Sequence, residues 1–250
     1  SPTRGTTRIR WRRTGELRQR RRTGIVLVTP VTRAMSTRRI SDSTVRRLSG
    51  YLRHLRQLSA DGRPVVSSRE LADETGTTAA QVRKDLSQFG SFGQRGRGYP
   101  VTALRDALVR ILGLRRPWRV CVLGAGRLGS ALLGYEDLAR RGFEVVAAFD
   151  IDPAKVGRSI RGVPVLPIEE LEREIEIRGV DIAILAVPDG PARQLAKRLA
   201  AAGVTGILNF TSTKIRPGPD VAVRVMDIAV ELEGLSYTIV TGARAGGSGP

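Results

Sequence analysis

Apolar positions recur at helical spacing between Ile40 and Leu58, where Val45, Leu48, Leu52, Leu55 and Leu58 share one face. Ser41 or Ser43 can cap this helix at its start, and "ADGRP" ends it. "SSRELADETG" then places Ser67 three residues before Glu70, the spacing of a capping box, with Gly76 closing a short helix. "TTAAQVRKDLSQFG" starts again on Thr77 or Thr78 and puts Val82, Leu86 and Phe89 on one side. "SFGQRGRGYPV" suits a β-hairpin or loop, and "TALRDALVRILGL" is a further amphipathic helix. From Trp118 the rhythm changes. "WRVCVLG", "FEVVAAFD", "VDIAILAVP" and "VTGILNFT" read as buried strands, with "VPVLP" as a shorter one. Between them lie helical stretches: "GRLGSALLGYEDLARRG", read as one helix ending at Gly142, "IEELEREIEIRG" and "GPARQLAKRLAAAG". "VAVRVMDIAVELEGLSYTIV" adds a strand and a strongly apolar helix. Strands alternating with helices predict an α/β domain whose parallel sheet is covered on both faces.

Charge divides the chain at the same place. Residues 1–34 hold ten Arg and one Glu, a net +9; residues 37–116 hold sixteen Lys/Arg and seven Asp/Glu, again +9; residues 117–250 hold sixteen of each sign. The whole excess of +18 lies in the first half, which points to a nucleic-acid partner for that half and a different one for the rest. Residues 1–36, rich in Arg, Thr and Gly without apolar periodicity, are read as a disordered basic extension, and Met35 is a candidate natural start. The single Cys excludes an internal disulfide and a multi-Cys zinc site and fits a reducing, cytoplasmic setting. No membrane span, secretory signal or metal-ligand cluster is expected.

Gly124, Gly126 and Gly129 form G-x-G-x-x-G after a predicted strand and at the opening of a predicted helix; Asp150 ends the next strand, 21 residues after Gly129. In that context the pattern predicts a dinucleotide site, with the glycines allowing a tight turn, close approach of a pyrophosphate and close helix packing. Gly124, Ala125, Gly126, Arg127, Leu128, Gly129, Asp150, Asp152 and Lys155 are the candidate cofactor-binding residues. Asp150 suits the hydroxyls of an adenosine ribose and would repel a 2′-phosphate, favouring NADH and NAD+ over the phosphorylated pair. No catalytic set accompanies the finger. His54 lies in the basic half, Cys121 lies inside a strand, and Lys155 and Tyr135 are poorly placed for proton transfer.

Residues 67–98 read as a helix-turn-helix with a wing. Gln81, Arg83 and Lys84 stand on the second helix, where base edges are read, and Arg95 and Arg97 lie between glycines in the wing. The domains expected are a winged-helix DNA-binding domain over 37–116, a Rossmann domain over 117–225, a helix over 226–240 and a flexible tail over 241–250.

The stretches "QVRKDLSQFGSFGQRGRGYPV", "VLGAGRLGSALLGY", "FDIDPAKVG", "GILNF" and "MDIAVELEGLSY" together resemble the Rex family of redox-sensing transcriptional repressors. The likeness spans residues 40–240. It implies a homodimer that binds a palindromic double-stranded DNA operator and is released by NADH, with NAD+ competing for the same site. It also implies that the C-terminal helix is exchanged between subunits, and that a Tyr–Asp–Arg switch falls on Tyr135, Asp227 and Arg53. Where the family often has Phe after that Asp, this chain has Ile228. Two other readings remain open at this stage: an NAD-dependent oxidoreductase with a basic appended domain, and a CoA-binding or structural Rossmann module.

Overall fold

The basic half folds around a core made by three helices and closed by a fourth. Helix α1 (Asp42–Ala60) starts at Ser41, whose hydroxyl accepts from the Thr44 N–H. The Val65–Val66 strand, β1, follows, then α2 (Ser68–Thr75) capped by Ser67 and α3 (Ala79–Ser87) capped by Thr78. Strand β2 (Tyr99–Pro100) leads into α4 (Val101–Ile111). This computed structural model describes residues 40–92 and 97–242; the extension 1–36, Arg95 and the tail beyond Gly242 lie outside the described residues.

Leu48, Leu55, Leu71, Val82, Leu86, Leu104 and Leu108 form one buried cluster, so each helix contributes the face its spacing predicted. Two local readings gain detail. The described end of the Gly-Arg segment, Tyr99–Pro100, pairs antiparallel with Val65–Val66, more than thirty residues earlier. And only half of the capping box forms: Ser67 accepts from the Glu70 N–H at 3.0 Å, while the Glu70 carboxylate turns to Arg63 at 3.3 Å.

At the centre of this domain, Asp85 is fully buried. It accepts two hydrogen bonds from Arg47 (2.7 and 2.8 Å), one from the Tyr51 hydroxyl (3.0 Å) and one from the Gln81 amide (2.7 Å). A buried carboxylate is tolerated when its lone pairs are filled and its charge is met, as here. The result is a polar bolt between α1 and α3.

The second half is a seven-stranded sheet. Strands β3 (Trp118–Leu123), β4 (Phe143–Asp150), β5 (Ser159–Ile160), β6 (Val163–Pro167), β7 (Ile182–Leu185), β8 (Gly206–Asn209) and β9 (Ala222–Val225) lie in the order β5-β6-β4-β3-β7-β8-β9. Only β5 pairs antiparallel. The connecting helices are α5 (Arg127–Leu133), α6 (Asp137–Arg140), α7 (Leu171–Arg178) and α8 (Asp189–Ala201). Alternation along β3 sends Val120 and Val122 into one core cluster and Cys121 and Leu123 into the other, so both faces of the sheet are dry. Full burial pushes the Cys121 thiol up to about 12, which keeps it an inert packing group.

The first crossover is not one helix. It breaks at Gly134–Glu136, leaving Tyr135 exposed between α5 and α6. The strand order reverses beside β3, so the crevice over the carboxyl ends of β3, β4 and β7 is the place where such sheets hold ligands. Helix α9 (Ile228–Thr241) has none of its residues buried; Ile228, Val230, Leu232, Leu235, Tyr237 and Ile239 are exposed.

Asp85→Asn should lower the unfolding free energy by about 3 kcal/mol, the low end for breaking a buried pair, because Arg47 keeps part of its side chain in water. Burial raises the Asp85 pKa, but the bonds from Arg47, Gln81 and Tyr51 together outweigh it and hold the carboxyl below its ordinary value. Its stabilisation is therefore complete above the ordinary carboxylate range and is lost as pH falls through the depressed folded-state value. Urea denaturation across the acid range should show the wild type losing stability with acid while Asp85→Asn loses less.

Candidate functional sites: a dinucleotide crevice and a DNA-facing helix

The finger is set by backbone contact. Gly124 has φ +91°, and a Cβ there would stand 2.4 Å from the Ala186 carbonyl oxygen of the neighbouring strand end. A Cβ on Gly129 would stand 1.8 Å from the Gly124 carbonyl oxygen. These two positions admit glycine because α5 lies directly on the end of β3. Gly126 differs: nothing lies within 4 Å of a Cβ built there. That open space lies at the N-cap of α5, whose first turn has no side-chain cap. The residues present therefore fit a pyrophosphate against the loop backbone.

Asp150 stands at the end of β4 and is only 8% exposed. Its carboxylate accepts from the Ala125 N–H at 2.8 Å, the Asp152 N–H at 2.9 Å and the Lys155 ammonium at 3.2 Å. Burial raises its pKa, but these three bonds outweigh it and keep the carboxyl below its ordinary value. The residue expected to meet a ribose thus also ties the finger to β4. Asp152 and Lys155 are more exposed and sit 3.4 Å apart at the same rim. Arg127 and Leu128 lie on the first turn of α5 and are exposed. The fold thus brings the nine candidate cofactor residues to one crevice.

On α3, Arg83 and Lys84 are exposed, and Arg83 donates to the Ser68 hydroxyl at 3.0 Å, holding it toward α2. Gln81 is partly turned inward by its bond to Asp85, one turn on, a role the reading of the sequence missed although the i,i+4 spacing allows it. Arg97 is exposed next to β2. Arg53, Tyr135 and Asp227 are not joined by any hydrogen bond or ion pair within one protomer among the described residues. Arg53 lies 3.9 Å from Glu74, and Asp227 caps α9 by accepting from the Ala229 and Val230 N–H groups. Among the described residues no helix is long and apolar enough to cross a membrane, and no group of three or more His, Cys, Asp or Glu could hold a metal ion.

A helix-turn-helix head on a Rossmann body with an open glycine finger is the build of a ligand-controlled DNA-binding protein. Residues 39–87 match the family model "Putative DNA-binding protein N-terminus", and residues 115–213 match the "CoA binding domain". The redox-sensing transcriptional repressor Rex of Carboxydothermus hydrogenoformans is 46% identical over 201 residues, covering 80% of this chain and 97% of that one. The Rex protein of Streptomyces avermitilis is 46% identical over 204 residues, covering 82% and 81%. Among solved structures, the Rex-family repressor RSP in complex with β-NAD+ and operator DNA is similar at a TM-score of 0.75 and 36% identity, covering 83% of this chain and 99% of that one. RSP in complex with β-NADH gives 0.71 at 35%, covering 81% and 95%. The chain belongs to the Rex family of redox-sensing transcriptional repressors.

Two glycine substitutions separate structure from binding. Gly129→Ala should cost about 1–3 kcal/mol, since backbone must move to admit the methyl group. Gly126→Ala should stay within about 0.5 kcal/mol of wild type. Thermal unfolding of the two variants side by side measures this; equal losses would place the close contact elsewhere.

Proposed function

We propose that this chain is a homodimeric repressor that binds a palindromic DNA operator through its basic head and leaves it when NADH fills the Rossmann crevice. NAD+ competes for the same crevice without forcing release. The observation that carries the reading is the pairing, in one chain, of an exposed Arg83–Lys84 step on α3 with an open Gly126 beneath a crevice at the strand-order reversal. The reading requires no reaction, which agrees with relatives named as repressors, and it places the protein in the cytoplasm with the DNA.

In this reading Gly124, Ala125, Gly126, Arg127, Leu128 and Gly129 hold the pyrophosphate by backbone and first-turn groups. Asp150, Asp152 and Lys155 form the ribose rim. Arg83 and Lys84 read bases, Gln81 supports them from the Asp85 bolt, and Arg95 and Arg97 take phosphates or the minor groove. The exposed apolar α9 is the element exchanged between subunits. Burial of such a surface is the driving force for pairing, and the crossing would let Asp227 of one subunit approach Arg53 or Tyr135 of its partner.

The match of residues 115–213 to a domain described by CoA binding favours one rival ligand. CoA carries a 3′-phosphate where the Asp150 carboxylate stands, which disfavours it. Calorimetric titration with NADH, NAD+ and CoA, with and without operator DNA, decides between them, and tight CoA binding would displace the redox reading.

Arg83→Ala and Lys84→Ala should each weaken operator binding. The loss is about 1–3 kcal/mol of discrimination for a residue that pairs with a base. A gel-shift series on operator and scrambled duplexes separates base reading from phosphate contact.

NADH and operator DNA must also weaken each other by one common factor, typically about 5–150-fold. Asp227→Ala should retain NADH binding but shrink this factor. Operator affinity at zero and saturating NADH, for wild type and variant, is the measurement; an unchanged ratio removes Asp227 from the switch.

A further inference from the structure

The Rossmann half has no net charge, and many of its cations are matched. Arg140 pairs with Glu136, Arg141 with Asp137, Lys155 with Asp150, Arg178 with Glu174 and Arg198 with Glu172. Four others gather without a carboxylate. Arg193 and Lys197, one turn apart on α8, and Lys214 and Arg216, on the segment between β8 and β9, line one concavity of about 300 Å³. All four are exposed. Arg193 reaches only the Lys214 carbonyl oxygen, at 3.5 Å. Lys197, Lys214 and Arg216 form no ion pair with any described residue.

Like charges would spread apart if the segment were free to move, since each unit pair repels by about 1 kcal/mol at 4 Å even in water. Here the segment is fastened. Asp189, at the start of α8, accepts from both the backbone N–H and the hydroxyl of Ser212, and its own carbonyl accepts from the Thr213 hydroxyl at 3.1 Å. Asn209, fully buried at the end of β8, donates to the Thr213 carbonyl at 3.0 Å and accepts from the Thr211 N–H and hydroxyl. Ile215 is driven into the core beneath the sheet, which turns its neighbours Lys214 and Arg216 outward together. Asp189, the carboxylate at the start of α8, is already committed to Ser212. Buried anchors thus fix the backbone that carries Lys214 and Arg216 beside the helix that carries Arg193 and Lys197, so an anion can enter without reordering the chain.

We propose that this hollow on the outer side of α8 binds a small oligophosphate, a second anion site apart from the dinucleotide finger. Four cations match the three to five negative charges of a pyrophosphate or triphosphate group better than a single phosphate. A compact, open hollow of this size suits a small anion rather than the long track of a nucleic-acid backbone, which needs cations strung along a surface. The segment runs from the end of β8, beside the crevice, to β9, which leads to Asp227. An occupant would therefore clamp the connection between the crevice and the terminal helix.

The test is calorimetric titration of inorganic tripolyphosphate into the full chain carrying Gly126→Val, which obstructs the finger, with and without Lys197→Ala plus Lys214→Ala. Both lysines are exposed, so the double variant should keep its thermal unfolding midpoint. Binding of one tripolyphosphate per chain at about 0.15 M salt, weakened on the order of tenfold or more by the double substitution, is the expected result. ATP in place of tripolyphosphate distinguishes a nucleotide from a free oligophosphate as the source. Equal binding by both proteins overturns the proposal, as does binding that vanishes at 0.15 M salt. It is also overturned if the double substitution alters only affinity for a random duplex, which would make the cluster a DNA contact.

Discussion

The Rossmann half depends on a contact that has no room for a side chain: the first turn of α5 lies on the end of β3, with the Gly124 carbonyl where a Cβ on Gly129 would stand. From that contact follows the position of the finger, and Asp150 secures it by reaching from β4 to the Ala125 N–H. One carboxylate thus ties the glycine loop, the strand beside it and the Lys155 rim into a single rigid edge. A loop fixed in this way can present its backbone to a phosphate group without being ordered first, which is how a crevice gains affinity from geometry rather than from added contacts.

The head solves a different problem with the same kind of group. A domain with so many arginines must keep its recognition helix in register while its own charges repel. Asp85, buried between α1 and α3 and filled by Arg47, Tyr51 and Gln81, neutralises one arginine and sets the pitch of α3. The exposed cations Arg83 and Lys84 are then left for an external anion. Charge is segregated accordingly: the head carries an excess that only a polyanion can balance, while the body is neutral overall, pairs Arg140, Arg141, Lys155, Arg178 and Arg198 with its own carboxylates, and groups four unpaired cations around the α8 hollow.

Much of this was legible along the chain because it rests on short-range rules. Helix caps at Ser41, Ser67 and Thr78, the buried strands and the glycine spacing are decided within a few residues. Elsewhere the folded chain adds what composition and spacing leave open. The Gly-Arg segment reads as a hairpin or loop, and its described end, Tyr99–Pro100, pairs with Val65–Val66, more than thirty residues earlier. The stretch from Gly126 to Gly142 has helical composition throughout, yet it divides at Tyr135. Gln81, expected among the base readers, also donates to Asp85 one helical turn on.

The sequence by itself determined the two domains, their opposite charge balance, the sheet's alternation with helices and the finger that opens it, because periodicity, glycine tolerance and net charge are properties of the chain before it folds. Only the tertiary structure decided which carboxylates are occupied and which cations are left over. Asp150 and Asp152 are both candidate cofactor residues in sequence, but one is buried under the finger and the other is half in water. Arg198 and Lys197 are neighbours, but one points to Glu172 and the other joins Arg193, Lys214 and Arg216 around a hollow. Pairing of charges depends on distances of 3–4 Å between side chains remote in sequence, and those distances exist only once the chain has folded.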